Sequence, residues 1–209
     1  MAEEPMLRSR APIAIVRLDD LSEALRIAEA LLEGGIFTLE FTLTNPDALR
    51  AVEKVRAKLR ERAVVGAGTV LDADSARAAV LSGAQFLVSP VVEPEVIACG
   101  VQMGVPVVPG AFTPTEILSA HRLGAELVKL FPARGLGPAY IKDVLAPLPD
   151  VRLAPTGGVS VENCAEFLRA GAYTVGLGGN LVQKQLVANK DWQSLSALAA
   201  RYVEACAGA

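Results

Sequence analysis

Apolar residues in this chain fall in two rhythms. Short runs rich in Val, Ile and Leu alternate with longer Ala, Leu, Glu and Arg segments in which apolar positions recur with helical spacing, and Gly or Pro punctuates the joints. The short runs predict strands over 13–17, 36–42, 63–66, 86–89, 105–109, 127–131, 152–154 and 173–177. The longer segments predict helices over 20–33, 46–60, 73–82, 93–102, 114–122, 138–146 and 161–169, with a last helix near 191–206. Capping residues stand at their starts: Asp19 or Asp20, Asn45 before Pro46, Asp72, Thr113 before Pro114, and Ser160. Gly34, Gly83, Gly104, Gly124 and Gly171 follow helix ends, as expected of residues that stop a helix in the left-handed conformation. Strand and helix alternate at roughly 25 residues per unit, which predicts an α/β fold of the (β/α)8, or TIM barrel, type. A doubly wound open sheet is the alternative, but no GxGxxG follows the first strand. No linker or low-complexity tract divides the chain, so residues 1–209 are expected to form a single domain.

Composition narrows the function classes. The 209 residues are 52% hydrophobic, enough for a large core. A net charge of −3 and an aromatic content of 5% supply neither a basic field nor a stacking surface, so no nucleic-acid partner and no anionic membrane is expected. The uncharged stretch 96–115 contains Gly100, Gly104, Gly110, Pro106, Pro109 and Pro114, and reads as a helix end, a strand and a turn rather than a membrane span. The opening MAEEPMLRSR has two acids and no apolar run, so no signal peptide is expected. Cys99, Cys164 and Cys206 lack CxxC spacing, which predicts a reduced, cytoplasmic protein without a disulfide framework. The single histidine, His121, excludes a zinc site built on two or three His ligands and reads as an exposed helical residue.

In a barrel of this kind the chemistry sits at the carboxyl ends of the strands. Of six lysines, only Lys129 lies inside an apolar strand, Leu127-Val128-Lys129-Leu130-Phe131. Burial disfavours the ammonium and makes a free amine available as a nucleophile; the alternative is a structural ion pair across the barrel. Glu40 is the natural partner, because alternation in Thr38-Leu39-Glu40-Phe41-Thr42 sends the Glu and both Thr to one face. Burial would raise its pKa and a charged lysine would lower it. Two glycine pairs, Gly157-Gly158 and Gly178-Gly179, follow the seventh and eighth strands, where barrel enzymes commonly bind phosphate on bare backbone N–H groups.

These segments, in order, resemble the 2-keto-3-deoxy-6-phosphogluconate (KDPG) aldolases, a family that includes 4-hydroxy-2-oxoglutarate aldolases. The resemblance runs over nearly the whole chain and is carried by Leu39-Glu40-Phe41-Thr42-Leu43, Val65-Gly66-Ala67-Gly68-Thr69-Val70, Gly83-Ala84-Gln85-Phe86 with Ser89-Pro90, Val107-Val108-Pro109-Gly110, Val128-Lys129-Leu130-Phe131-Pro132-Ala133 and Pro155-Thr156-Gly157-Gly158. It implies a class I, metal-independent lyase on a (β/α)8 barrel, a homotrimer with no cofactor beyond a covalent imine on Lys129. The implied reaction cleaves KDPG, an Entner–Doudoroff intermediate of carbohydrate metabolism, to pyruvate and glyceraldehyde 3-phosphate. Cleavage of 4-hydroxy-2-oxoglutarate to pyruvate and glyoxylate is a second implied reaction.

By the same resemblance Lys129 forms the Schiff base and Glu40 shuttles protons. Thr69 holds the pyruvyl carboxylate, Pro90 and Phe131 wall the pocket, and Thr156 contacts the substrate hydroxyls. Gly157, Gly158, Gly178 and Gly179 take the phosphate. The chain departs from the family in two places. Thr44 stands where many KDPG aldolases carry an arginine, and Arg17, at the end of the first strand, is the expected substitute. Asn180 replaces a frequent serine after strand eight and can still donate to phosphate. The alternatives are an aldolase for the galactonate epimer, a sugar-phosphate isomerase or synthase, and a sugar-phosphate-binding barrel without catalysis. A Mg²⁺ held by carboxylates would mark a metal-dependent aldolase instead.

Overall fold

A computed structural model describes residues 6–209. Met1 to Pro5, which begin the segment read as lacking a signal peptide, lie outside the described residues. Strands and helices alternate: β1 (Ile13–Val16), α1 (Ala24–Glu33), β2 (Thr38–Thr42), α2 (Ala48–Leu59), β3 (Val64–Gly68), α3 (Ala73–Leu81), β4 (Leu87–Val88) and α4 (Pro94–Met103). They continue as β5 (Val107–Val108), β6 (Gly110–Ala111), α5 (Pro114–Arg122), β7 (Val128–Leu130), α6 (Gly137–Leu145), β8 (Leu153–Pro155), α7 (Cys164–Arg169), β9 (Gly176–Leu177), α8 (Lys184–Ala188) and α9 (Trp192–Ala207). All pairing is parallel, in a six-stranded sheet of order β5-β4-β3-β2-β1-β9 and a three-stranded sheet of order β6-β7-β8.

Two departures from the expected elements have physical causes. The strand expected over 105–109 is divided: β5 pairs with β4, β6 pairs with β7, and Pro109 between them has no N–H to donate. The helix expected from residue 20 begins at Ala24, because the Asp20 carboxylate accepts from Ser22 N and holds a turn there. Asn163 rather than Ser160 precedes α7, with its Oδ1 accepting from Ser160 N. Asp72 and Thr113 cap as expected, the latter in a full capping box with Glu116. Gly35, not Gly34, is left-handed after α1 (φ 88°); Gly34 is needed because a Cβ there would stand 2.4 Å from Ser196 O of α9.

Parity along the strands sorts the core into two clusters. Ala14, Val16, Leu39, Phe41, Leu87, Val107, Val128, Leu130 and Leu153 face the helices in the large cluster. Ile13, Phe86, Val88, Val108, Leu127 and Ala154 form a second, smaller cluster on the opposite face, with Leu7. Glu40, Lys129 and Thr156 occupy that same face one step further along their strands, so the apolar cluster floors a polar end. Tyr202 is buried and Trp192 packs against the large cluster, which docks α9; the three cysteines are buried and free, and His121 is exposed. No helix among the described residues is long and apolar enough to cross a membrane.

Candidate active site

Lys129 and Glu40 are each flanked by residues that leave them room. Lys129 pairs in register with Gly110 of β6 and Ala154 of β8, and Glu40 with Ile15 of β1 and Gly66 of β3. Beside Glu40 the space comes from Gly68: a Cβ at that position would stand 1.8 Å from Glu40 Oε1. Both charged residues are buried, Lys129 at 7% and Glu40 at 2% exposure.

Their electrostatics are unusual for buried charge. Lys129 Nζ lies 5.0 Å from the centre of the Phe131 ring, a cation–π contact. Among the described residues neither Lys129 nor Glu40 enters an ion pair, so the structural pair left open by the sequence does not form. Glu40 Oε1 is buried with no hydrogen-bond partner. Burial raises the Glu40 carboxyl above its ordinary value, and the nearby charges of Lys129 and Arg17 only partly oppose it. Desolvation therefore wins the contest that the sequence left undecided. The carboxyl is poised to carry a proton.

A cavity of about 410 Å³ opens over these two groups. Every residue expected at the site lines it: Arg17, Glu40 and Thr44 on one side, Thr69, Pro90, Lys129 and Phe131 along the wall, and Thr156, Gly157, Gly158, Gly178, Gly179 and Asn180 on the other. Ile15, Thr42, Arg134, Val159 and Gly176 also line it and were not among the expected residues. Parity puts Thr42 on the face of Glu40 without giving it a role, and the same parity could have supplied Ile15, two positions before Arg17. Arg134 lies in a short 3-10 turn, where no periodicity points to it. A larger depression of about 540 Å³ adjoins the site, shares Ile15, Arg17, Thr44 and Gly179 with it, and is lined by neither Lys129 nor Glu40.

The backbone around the cavity is specialised. Thr69, a β-branched residue, is held at φ 57°, a conformation costing about 1–2 kcal/mol. Hydrogen bonds on either side impose it, Leu43 N to Gly68 O (2.7 Å) and Val70 N to Val88 O (3.0 Å). Gly157 and Gly158 both sit at φ 86°, and Gly176 allows Thr156 to approach, since a Cβ there would meet Thr156 Oγ1 at 2.2 Å. Asn180 Nδ2 donates to Val159 O (2.8 Å), which ties the two glycine loops together, and Asn163 Nδ2 donates to Gly158 O (3.1 Å), which ties the first of them to the start of α7. One amide hydrogen of Asn180 is thereby committed within the protein. Thr42 and Thr44 share a hydroxyl hydrogen bond of 2.9 Å at the rim. No cluster of three His, Cys, Asp or Glu residues suited to a metal occurs among the described residues.

A family model described as "Aldolase: KDPG and KHG aldolase" matches residues 4–198. This chain belongs to the KDPG and KHG aldolase family. Within it, a 2-dehydro-3-deoxy-phosphogluconate aldolase from Treponema pallidum is 38% identical over 89% of each chain. A probable 2-dehydro-3-deoxy-6-phosphogalactonate aldolase from Rhizobium meliloti is also 38% identical, over 92% of each chain. Among solved structures, native KDPGal matches with a TM-score of 0.88 at 33% identity, over 98% of this chain and 97% of that one. KDPG aldolase from Legionella pneumophila, with pyruvate captured as a covalent carbinolamine intermediate, matches with a TM-score of 0.85 at 31% identity, over 91% of this chain and 92% of that one. The chain is accordingly an aldolase, a lyase by reaction class, with a parallel α/β fold.

Proposed function

We propose that this chain is a class I aldolase that cleaves KDPG to pyruvate and glyceraldehyde 3-phosphate, with 4-hydroxy-2-oxoglutarate as a second substrate. One observation carries the reading: a buried lysine and a buried carboxyl, neither of them in an ion pair among the described residues, share a cavity rimmed by two glycine loops. The Lys129 amine attacks the C2 ketone to give a carbinolamine, and Glu40 donates the proton with which its hydroxyl leaves as water. The resulting iminium draws the electrons of the C3–C4 bond. Glu40 takes the C4 hydroxyl proton as glyceraldehyde 3-phosphate departs, then returns a proton to C3 of the enamine. Water hydrolyses the imine and releases pyruvate. Thr69, with Arg17 standing in for the charge absent at Thr44, holds the carboxylate; Pro90 and Phe131 wall the pocket; Thr156 meets the hydroxyls. Gly157, Gly158, Gly178, Gly179 and Asn180 cradle the phosphate.

The galactonate epimer is the second reading, supported by the equal identity of the Rhizobium meliloti relative and by the likeness to the native KDPGal structure. The same proposal includes one closed (β/α)8 barrel and a single domain. Its support is that β5 and β6 read as one strand bent at Pro109, while a lone parallel bridge, Thr156 to Gly176, links β8 to β9. It also includes a cytoplasmic homotrimer. Exposed Leu71, Val91 and Phe112, after β3, β4 and β6, support an interface there, and mass photometry tests it. Borohydride reduction with pyruvate, followed by peptide mass spectrometry, tests the chemistry. A pyruvyl adduct on Lys129 is expected, and its absence under turnover conditions sinks the reading.

A further inference from the structure

Arg134 is the one charged residue lining the cavity to which the proposed reaction gives no task. It lies in the turn Ala133–Gly135 after β7, is exposed, and its guanidinium makes no hydrogen bond or ion pair among the described residues. The turn is nevertheless fixed in place. Ala133 N donates to Thr156 O (2.8 Å), tying it to the end of β8. A Cβ on Gly158 would stand 2.8 Å from the Arg134 Cβ and 3.2 Å from its Cγ, so the stem of Arg134 lies directly against the bare backbone of the glycine loop.

We propose that Arg134 is a specificity-determining residue, reading the phosphoryl group of the substrate above the Gly157-Gly158 loop. The inference rests on the aldolase reading and extends it to the choice between phosphorylated and unphosphorylated substrates. Charge accounting supports it. The cations lining the cavity are Arg17, Lys129 and Arg134, and the one acid is Glu40. Once Lys129 is committed to the imine, two guanidiniums remain for a substrate with two anionic ends. Arg17 follows β1, close enough to act on Glu40 and beside the end where C1 to C3 must sit. Arg134 borders the glycine loop at the other end. Its forked donors suit a phosphate dianion better than a neutral hydroxymethyl group, and no partner among the described residues has to be given up.

The test compares condensation of pyruvate with glyceraldehyde 3-phosphate and with unphosphorylated glyceraldehyde, in the wild type, Arg134→Ala and Arg134→Lys. The ratio of kcat/KM for the phosphorylated over the unphosphorylated aldehyde is expected to fall about 10- to 50-fold in Arg134→Ala, through KM for the phosphorylated aldehyde. Lysine should restore part of it, and raised salt should shrink the difference, because the guanidinium is exposed. A ratio unchanged within about twofold, or an equal loss with both aldehydes, overturns the proposal. Borohydride trapping separates the failures: a trapped pyruvyl group with an unchanged ratio removes the role of Arg134 alone. An untrapped wild type removes the aldolase reading beneath it.

Discussion

Gly68 gives the sharpest test of how the carboxyl of Glu40 is placed. An alanine Cβ at residue 68 would lie 1.8 Å from Glu40 Oε1, 2.4 Å from Cδ and 2.6 Å from Cγ. Ordinary contact begins near 3.4 Å, so the nearest oxygen falls short by about 1.6 Å (3.4 less 1.8). Rotating the carboxyl alone leaves Cγ in conflict, and the whole side chain must swing. The backbone cannot yield easily, since Gly68 pairs with Thr42 and its carbonyl accepts from Leu43 N at 2.7 Å. Displacing a catalytic group by about 1 Å costs on the order of 10²-fold, and positioned proton transfer contributes about 10²- to 10⁴-fold. Gly68→Ala should therefore lower kcat by about 10²- to 10³-fold, with KM little changed because Lys129 and the glycine loops are untouched. Overpacking should cost about 1–3 kcal/mol, a fall in Tm of about 2–12 °C. The assay is pyruvate release coupled to lactate dehydrogenase, with circular dichroism to confirm folding. Adding Glu40→Ala removes the clash, so the Tm should recover while the activity does not. A folded Gly68→Ala enzyme within about threefold of wild-type kcat would refute the reasoning.

Three further expectations follow from the same geometry. Burial raises the Glu40 carboxyl, so the folded chain retains a proton that the unfolded chain loses above its ordinary value of 4.5, and ionising Glu40 costs stability as the pH rises through that window. Glu40→Gln should therefore have a higher Tm than wild type at pH 8, and the gap should narrow as the pH approaches 4.5; a gap independent of pH contradicts the raised value. A Cβ on Gly179 meets nothing within 4 Å, so Gly179→Ala should fold with unchanged Tm. The added methyl should still raise KM for the phosphorylated substrate about tenfold by holding phosphate off the backbone, and an unchanged KM places the phosphate elsewhere. Arg17→Ala should raise KM for pyruvate in the condensation direction about tenfold, and an unchanged KM removes Arg17 from the carboxylate site.

Alternation of strand and helix was legible because each strand is buried on both faces and each helix on one, and the parity within Thr38–Thr42 placed Glu40 opposite Leu39 and Phe41. The break at Pro109 was hidden, because Val-Val-Pro-Gly-Ala reads as one apolar run until the pairing partners on each side are known. Helix α8 was missed because five residues, with Leu186 and Val187 half-buried against the core, are too few to show a period. Lys129 stood out by the contrast between one charge and its apolar neighbours. Arg134 could not, since an arginine in a turn after a strand looks like any solvated one. Its position over Gly158 is a tertiary fact, created where the turn is tied to the end of another strand.

Three departures from ordinary packing meet at the cavity. Asn45 shows how this fold normally treats a buried polar group: its Nδ2 donates to Leu18 O and Asp19 O, and its Oδ1 accepts from Asp47 N. Among the described residues, by contrast, Glu40 Oε1 has no partner, Lys129 has no counter-ion within pairing distance, and Thr69 is held in a strained left-handed conformation. Each lowers stability on its own: a buried group without its partner bears its desolvation cost, and a β-branched residue held left-handed is strained. All three line the same cavity. Among the described residues, a buried carboxyl oxygen without a partner, a buried lysine without a counter-ion and a strained backbone meet within reach of a single ligand, so the spare bonding capacity is aimed at that ligand. On the proposed mechanism, burial biases the Glu40 carboxyl toward its neutral form. That suits it to the step that comes first, protonation of the departing carbinolamine hydroxyl, with acceptance of the C4 hydroxyl proton after it.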